Sequence, residues 1–161
     1  MAELTPLDEK LGEVLGLAQA AQQAVKHVEG MEDADEFSDQ LGRMRSEAAE
    51  TEKRTDGLVD GLDGKKTAIR EKARETKSEA VGMMRTYLED EEEALDGFEF
   101  LSMAEAGELC HWEIVRTMAG ALSLEDVSEL ADWAVGVQRE HVETVRTAYL
   151  ALAQQEVDAK G

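Results

Sequence analysis

The chain has 161 residues and a hydrophobic content of 42%, enough for a single domain over 1–161 with a core of its own. Thirty-seven acidic against seventeen basic side chains leave a formal net charge of −20, which argues against nucleic acid or an anionic membrane as a partner. Aromatic residues at 4% and one proline favour a helical core of Leu, Ala, Val and Met over a β-sandwich, and the lone Cys110 excludes an internal disulfide.

Thr5-Pro6-Leu7-Asp8 predicts a helix start, with a threonine cap, proline at the first helical position and an acid following it. Leu4, Leu7, Leu11, Leu15, Ala18, Gln22 and Val25 then recur at helical spacing, and Gly30 is the expected stop. Asp33 with Glu36 is read as the cap of a second helix whose stripe is Phe37, Leu41, Met44, Ala48, Thr51, Thr55 and Leu58. Gly57, Gly61 and Gly64 mark its end. A third helix is predicted from Lys65, with Ile69, Ala73, Ala80, Met84 and Leu88 on one narrow face. The run Glu89-Asp90-Glu91-Glu92-Glu93 reads as a solvated helix end, and the third and fourth helices are either separate or one kinked rod. Asp96 with Glu99 would cap the fourth helix, which runs to Gly120; Ser123 with Asp126 would open the fifth, periodic to Ala153. No run shows strand alternation. The expected class is all-α, an up-and-down four-helix bundle with one additional helix, because the turns near 30–32 and 121–123 force antiparallel neighbours.

The last two helices share a phrase, His111-Trp-Glu-Ile-Val-Arg-Thr117 and His141-Val-Glu-Thr-Val-Arg-Thr147, identical at five of seven positions. Glu108 precedes His111 by three residues, and Gln138 precedes His141 likewise, so each pair shares a helix face. The stripe around the first pair is read as Leu101, Ala104, Glu108, His111, Val115, Met118 and Leu122; around the second, as Leu130, Ala134, Val137, His141, Val145, Ala148 and Leu152. Glu-x-x-His pairs are the units from which helical bundles build di-metal carboxylate centres. The candidate metal ligands are Glu108, His111, His141, Glu105 and Glu47, with Gln138 behind them. Counting rise from the turn places Glu108 level with Gln138, Glu105 level with His141, and the two histidines roughly 10 Å apart along the axis. The same residues also read, and more readily, as a buried hydrogen-bonded network that fixes helix register.

Other chemistry is absent from the pattern. His27 is expected at the surface, and Cys110 lacks a convincing base, since its sequence neighbour His111 faces a different way. Trp112 and Trp133 are expected at helix edges or in a contact between copies. No Gly-rich phosphate loop, Ser-His-Asp set or paired-cysteine motif occurs, and no substrate is implied. No apolar run approaches the ~18 residues of a membrane span and the N-terminus lacks signal-peptide character, so a cytoplasmic protein is expected.

Gly97-Phe-Glu-Phe-Leu-Ser-Met-Ala-Glu-Ala-Gly-Glu-Leu-Cys-His-Trp-Glu-Ile-Val115, the segment Trp133 to His141, and Glu47-x-x-Glu50-Thr51 together resemble the ferritin-like superfamily. Within it, they are similar to the YciF-like stress-protein family. The resemblance covers most of 7–155. It implies a rubrerythrin-like five-helix bundle, a homodimer, and iron or manganese in the bundle. It matches His111 to the family's inward histidine and Glu47-x-x-Glu50-Thr51 to its second-helix motif. Where the family often carries an acid in the first helix, this chain has Gln19, Ala21 and Gln22.

Overall fold

The computed structural model describes residues 3–160. Five α-helices follow in order: α1 (Pro6–Glu29), α2 (Ser38–Asp60), α3 (Lys66–Leu88), α4 (Ala94–Ala121) and α5 (Glu125–Lys160), with a 3-10 turn at Asp35–Phe37 before α2. No strand occurs among the described residues. The class is all-α.

The N-terminus of α1 is a complete capping box. The Asp8 amide donates to Thr5 Oγ1 at 3.2 Å, and the Thr5 amide donates to the Asp8 carboxylate at 2.9 Å. Lys65 closes over the same carboxylate at 2.9 Å, tying the start of α1 to the start of α3. Burial raises the Asp8 pKa, but Lys65 and the Thr5 hydrogen bonds outweigh it, and the carboxyl sits below its usual range.

Helix α3 starts at Lys66, as expected, but the caps expected for α2, α4 and α5 are corrected. Asp33 adopts a left-handed φ of 65° in the turn and Glu36 lies in the 3-10 segment, so neither caps α2. Asp96 falls in the first turn of α4, whose N-cap is Glu93, with no side-chain cap. Ser123 is left-handed at φ 55°, and α5 begins at Glu125 and continues to Lys160, beyond the expected end. Helices α3 and α4 are separate. The acidic run between them is exposed, and its backbone is clipped to the α1–α2 turn: the Glu32 amide donates to Glu92 O and the Ala94 amide to Glu32 O, each at 3.1 Å.

Helix α1 packs against α2, α3 and α4, while α5 packs against α4 and α2. Gln22 meets Glu52 and Glu29 meets Arg45, so α1 and α2 are antiparallel. Likewise Val28 and Met31 lie at Gly97 while Glu13 meets His111, making α1 and α4 antiparallel. Helix α3 runs parallel to α1, Gly12 lying over Ile69 and Gly16 over Ala73 and Thr76. A Cβ on Gly16 would collide with the Ala73 carbonyl oxygen and lie 2.9 Å from Thr76 Cβ, so the two helices approach this closely only with glycine there. Two of the hairpins are legible in the turns, but the α1–α3 contact depends on the Gly12-x-x-x-Gly16 spacing.

The core divides into two apolar clusters. One holds Val25, Phe37, Leu41, Met44, Phe98, Leu101 and Val145; the other holds Leu11, Val14, Val59, Ile69, Trp112, Val115 and Ala134. Between them α4 contributes Glu105 and Glu108, α5 contributes Gln138 and His141, and α2 contributes Thr51 and Thr55, all buried. A polar layer thus crosses the bundle at mid-height.

The predicted stripe of α4 is rotated. Ala104, His111 and Met118 are only half-buried and Leu122 is exposed, whereas Glu105, Trp112 and Ala119 face inward. Trp112 is fully buried, correcting its placement at an edge. Trp133 does lie at an edge, half-buried, with the Arg54 guanidinium 4.0 Å above its ring. The rotation has a sequence cause: α4 carries apolar residues all round, so periodicity does not select one face.

Candidate functional site

Four of the five sequence-predicted site residues come together. On α4 the i,i+3 spacing sets Glu105 and Glu108 side by side on the buried face, both carboxyls deprived of water. On α5 the same spacing sets Gln138 beside His141; His141 faces Glu105 as counted from the turn, whereas Gln138, counted level with Glu108, meets Glu105 instead. Gln138 Nε2 donates to Glu105 Oε2 at 2.8 Å, and reaches the Glu105 carbonyl oxygen at 3.4 Å. From α2, Glu47 presents Oε1 at 3.0 Å from His141 Nε2. The opposite ring nitrogen, Nδ1, lies 3.7 Å from Glu105 Oε1, an ion-pair separation too long for a hydrogen bond. His141 Nδ1 is therefore buried without a hydrogen-bond partner, on a residue only 2% exposed.

The electrostatics follow from this placement. Burial pushes the Glu108 carboxyl well above the usual carboxylate range, and the adjacent Glu105 carboxyl pushes the same way. Burial alone would lower the His141 pKa. Glu105 facing Nδ1 and Glu47 at Nε2 overcome that, and the net shift is upward. The layer thus runs from a carboxyl pushed toward its neutral form at one end to an imidazole between two glutamate side chains at the other.

His111, the fifth predicted residue, stands apart. Its Nδ1 lies 2.8 Å from the Gly107 carbonyl oxygen, and its Nε2 lies 3.1 Å from Glu13 Oε2, which Lys10 also holds at 2.8 Å. The side chain is 31% exposed. The structure thus does not bring His111 to Glu105 and His141, in keeping with the axial separation counted from the turn. Glu13 was not singled out by the α1 stripe because it lies beside that stripe, at the rim facing α4.

Gln22 of α1 is half-buried and faces α2, away from these residues. Its amide donates to Glu52 at 2.8 Å and to the Ala18 carbonyl at 3.1 Å, so it is committed elsewhere. Thr51 and Thr55 donate to the backbone of their own helix, at Glu47 O and Thr51 O. Trp112 Nε1 is a second buried polar atom without a partner, one turn from Glu108 on the same face.

These residues fit a divalent cation in donor type: two carboxylates and a nitrogen with a free position. A carboxylate on the far nitrogen, as Glu47 is here, is how metal-ligating imidazoles are oriented. They are strung in a row, however, Glu105 standing between Glu108 and His141. Among the described residues, no three His, Cys, Asp or Glu side chains converge as a ready ligand set. Cys110 is exposed and His27 is exposed, both outside the layer. No described helix is long and apolar enough to cross a membrane. No protein-family model, curated protein or solved structure matches the chain.

Proposed function

We propose that the chain is a ferritin-like protein in which α1, α2, α4 and α5 form an up-and-down four-helix bundle, α3 is the additional helix, and one iron or manganese ion is held in the polar layer. Glu105, Glu108 and His141 Nδ1 are the ligands, Glu47 orients the imidazole and Gln138 positions Glu105. The observation that carries this reading is the unpartnered Nδ1 of His141, buried and directed at Glu105 with its other nitrogen against Glu47. A buried lone imidazole nitrogen beside two crowded carboxyls is an arrangement that a cation would relieve. The i,i+3 pairs on adjoining helices and the resemblance to ferritin-like sequences support it further. Bound iron or manganese would supply redox chemistry; His111 contributes nothing to this centre.

The experiment is a metal analysis of protein purified without chelator and then reconstituted with iron or manganese. Close to one equivalent is expected. Less than about 0.1 equivalent at saturating metal would overturn the reading.

The row-like arrangement of the donors favours a second reading. In it the layer is a metal-free network that fixes the register of α2, α4 and α5 in a non-catalytic bundle, since a shifted helix would strand buried charges. We further propose a homodimer, supported by the exposed apolar side chains of Met83 on α3 and Met103 on α4. Light scattering on the eluting peak, giving the mass of one chain at about 0.1 mM, would exclude it.

A further inference from the structure

We propose that Arg43 is a latch over a cation entrance, the cleft between α2 and α5 that leads to His141. The cleft has a volume of about 290 Å³ and reaches the His141 ring from the surface. Glu47 lies on its α2 wall, and Glu140 and Glu143 on its α5 wall. Arg43 spans both walls, its Nε 3.4 Å from Glu47 Oε1 and its Nη2 3.2 Å from Glu140 Oε2. The α2 contact arises from i,i+4 spacing, so the latch is hinged on one helix and closes on the other.

The chemistry of the mouth selects what passes. Three carboxylates around a narrow opening attract small hydrated cations and repel anions. Among the described residues Arg43 is the one Lys or Arg lining this cleft, and it occupies the position in which an entering cation would first pair. The Arg43 side chain is 69% exposed and that of its Glu140 partner 64%, so both pairs are surface pairs that open easily. Behind them, at the inner end of the cleft, lies His141, a residue only 2% exposed. That the passing species is a metal ion rests on the function proposed above; the latch itself does not.

The test is the rate at which diethyl pyrocarbonate modifies His141 in the folded protein at fixed pH, read by peptide mass mapping. His27 and His111 serve as internal references. Arg43→Gln and Glu140→Gln each remove one side of the latch and change surface charge in opposite directions. Both should accelerate His141 modification about fivefold, the scale of an exposed ion pair, without changing the other two rates. Opposite effects of the two variants would mean that they act only through charge and would overturn the latch, as would no change in either. Both variants replace exposed side chains, so their fold is expected to persist, and circular dichroism checks it.

Manganese separates the cation part from the latch. Added Mn²⁺ should broaden the His141 ring resonances of wild type, and should do so faster in Arg43→Gln. Because Mn²⁺ also broadens the neighbours of its ligands, its place is read from a variant: broadening of His141 that Glu108→Leu leaves unchanged would put the ion at the mouth and overturn both the cation entrance and the buried metal site, even with the labelling result intact. Broadening of His141 at the same rate in both proteins would leave the metal site standing and overturn the entrance.

Discussion

His111 and His141 occupy the same place in the same repeated phrase, and each meets a glutamate from another helix at about 3 Å. There the likeness ends. His141 lies in the polar layer, with Glu105 on its far side; His111 lies at the rim, with a backbone carbonyl on its far side and Lys10 beside its glutamate. The phrase sets helix geometry, and with it which residues neighbour the histidine on its own helix. It does not set how much water remains, and water decides whether such a pair is a surface contact or a site.

The largest test of that difference is the cost of losing each ring. His141→Ala should destabilise by about 3–5 kcal/mol in urea denaturation, because Glu47 loses its partner and Glu105 is left buried beside a void. His111→Ala should cost less than about 1 kcal/mol. Equal losses would mean that burial does not distinguish the two pairs.

Glu108→Leu sharpens the comparison from the acid side. In protein stripped of metal, the change should be neutral or stabilise by about 1–2 kcal/mol, since a buried carboxyl is replaced by an apolar side chain of similar size. The same variant should lose any rise in Tm that iron or manganese gives the wild type. A metal-induced rise of equal size in both proteins would remove Glu108 from the ligand set.

The pH dependence of stability should separate the layer from the rim without removing a contact. Glu108 holds its proton above the range in which the unfolded chain releases it, so its contribution is complete below about pH 4.3 and is lost as pH rises through the folded value. The His141 shift has the same sign, its contribution being complete below about pH 6.5 and lost on the alkaline side. Glu108→Gln has no proton to lose. Its stability relative to metal-free wild type should therefore grow as pH rises from about 4.3, by up to about 1.4 kcal/mol per unit while folded Glu108 stays protonated. A difference that stays flat from about pH 4 to 8 would show that Glu108 titrates alike in both states.

The smallest effect concerns salt. A double-mutant cycle on His111 and Glu13 should give a coupling below about 1 kcal/mol that vanishes near 1 M KCl, where the Debye length is about 3 Å. The coupling of His141 with Glu47 should be larger and largely retained, because that pair is shielded from solvent on the imidazole side. Coupling energies that fall in parallel with salt would argue that the α2–α5 cleft admits ions freely, against a latch at Arg43.

Much of the molecule was legible in one dimension. The Thr5–Asp8 box, the stripes of α1, α2 and α5, and the breaks at Gly30 and Gly61 follow from interactions spanning no more than four residues, which periodicity and capping chemistry encode directly. Counting rise from the α4–α5 turn set Glu105 against His141, as found, but set Glu108 against Gln138, whose amide instead meets Glu105. The facing of α4 was not legible. A helix apolar on every side offers no preferred face, and only α1 and α5 packing on it turned Trp112 and Glu105 inward and His111 to the rim.

By itself, the sequence determined that the chain is helical, where most helices lie, and which side chains stand three or four apart. Only the tertiary structure decided that Glu47 rather than Glu108 holds His141, that Glu13 takes His111, and that Arg43 bridges α2 to α5. Contacts within a helix are set by its pitch, which every residue shares. Contacts between helices depend on the rotation and approach of each one, and those are settled by how the whole set of side chains fills the core.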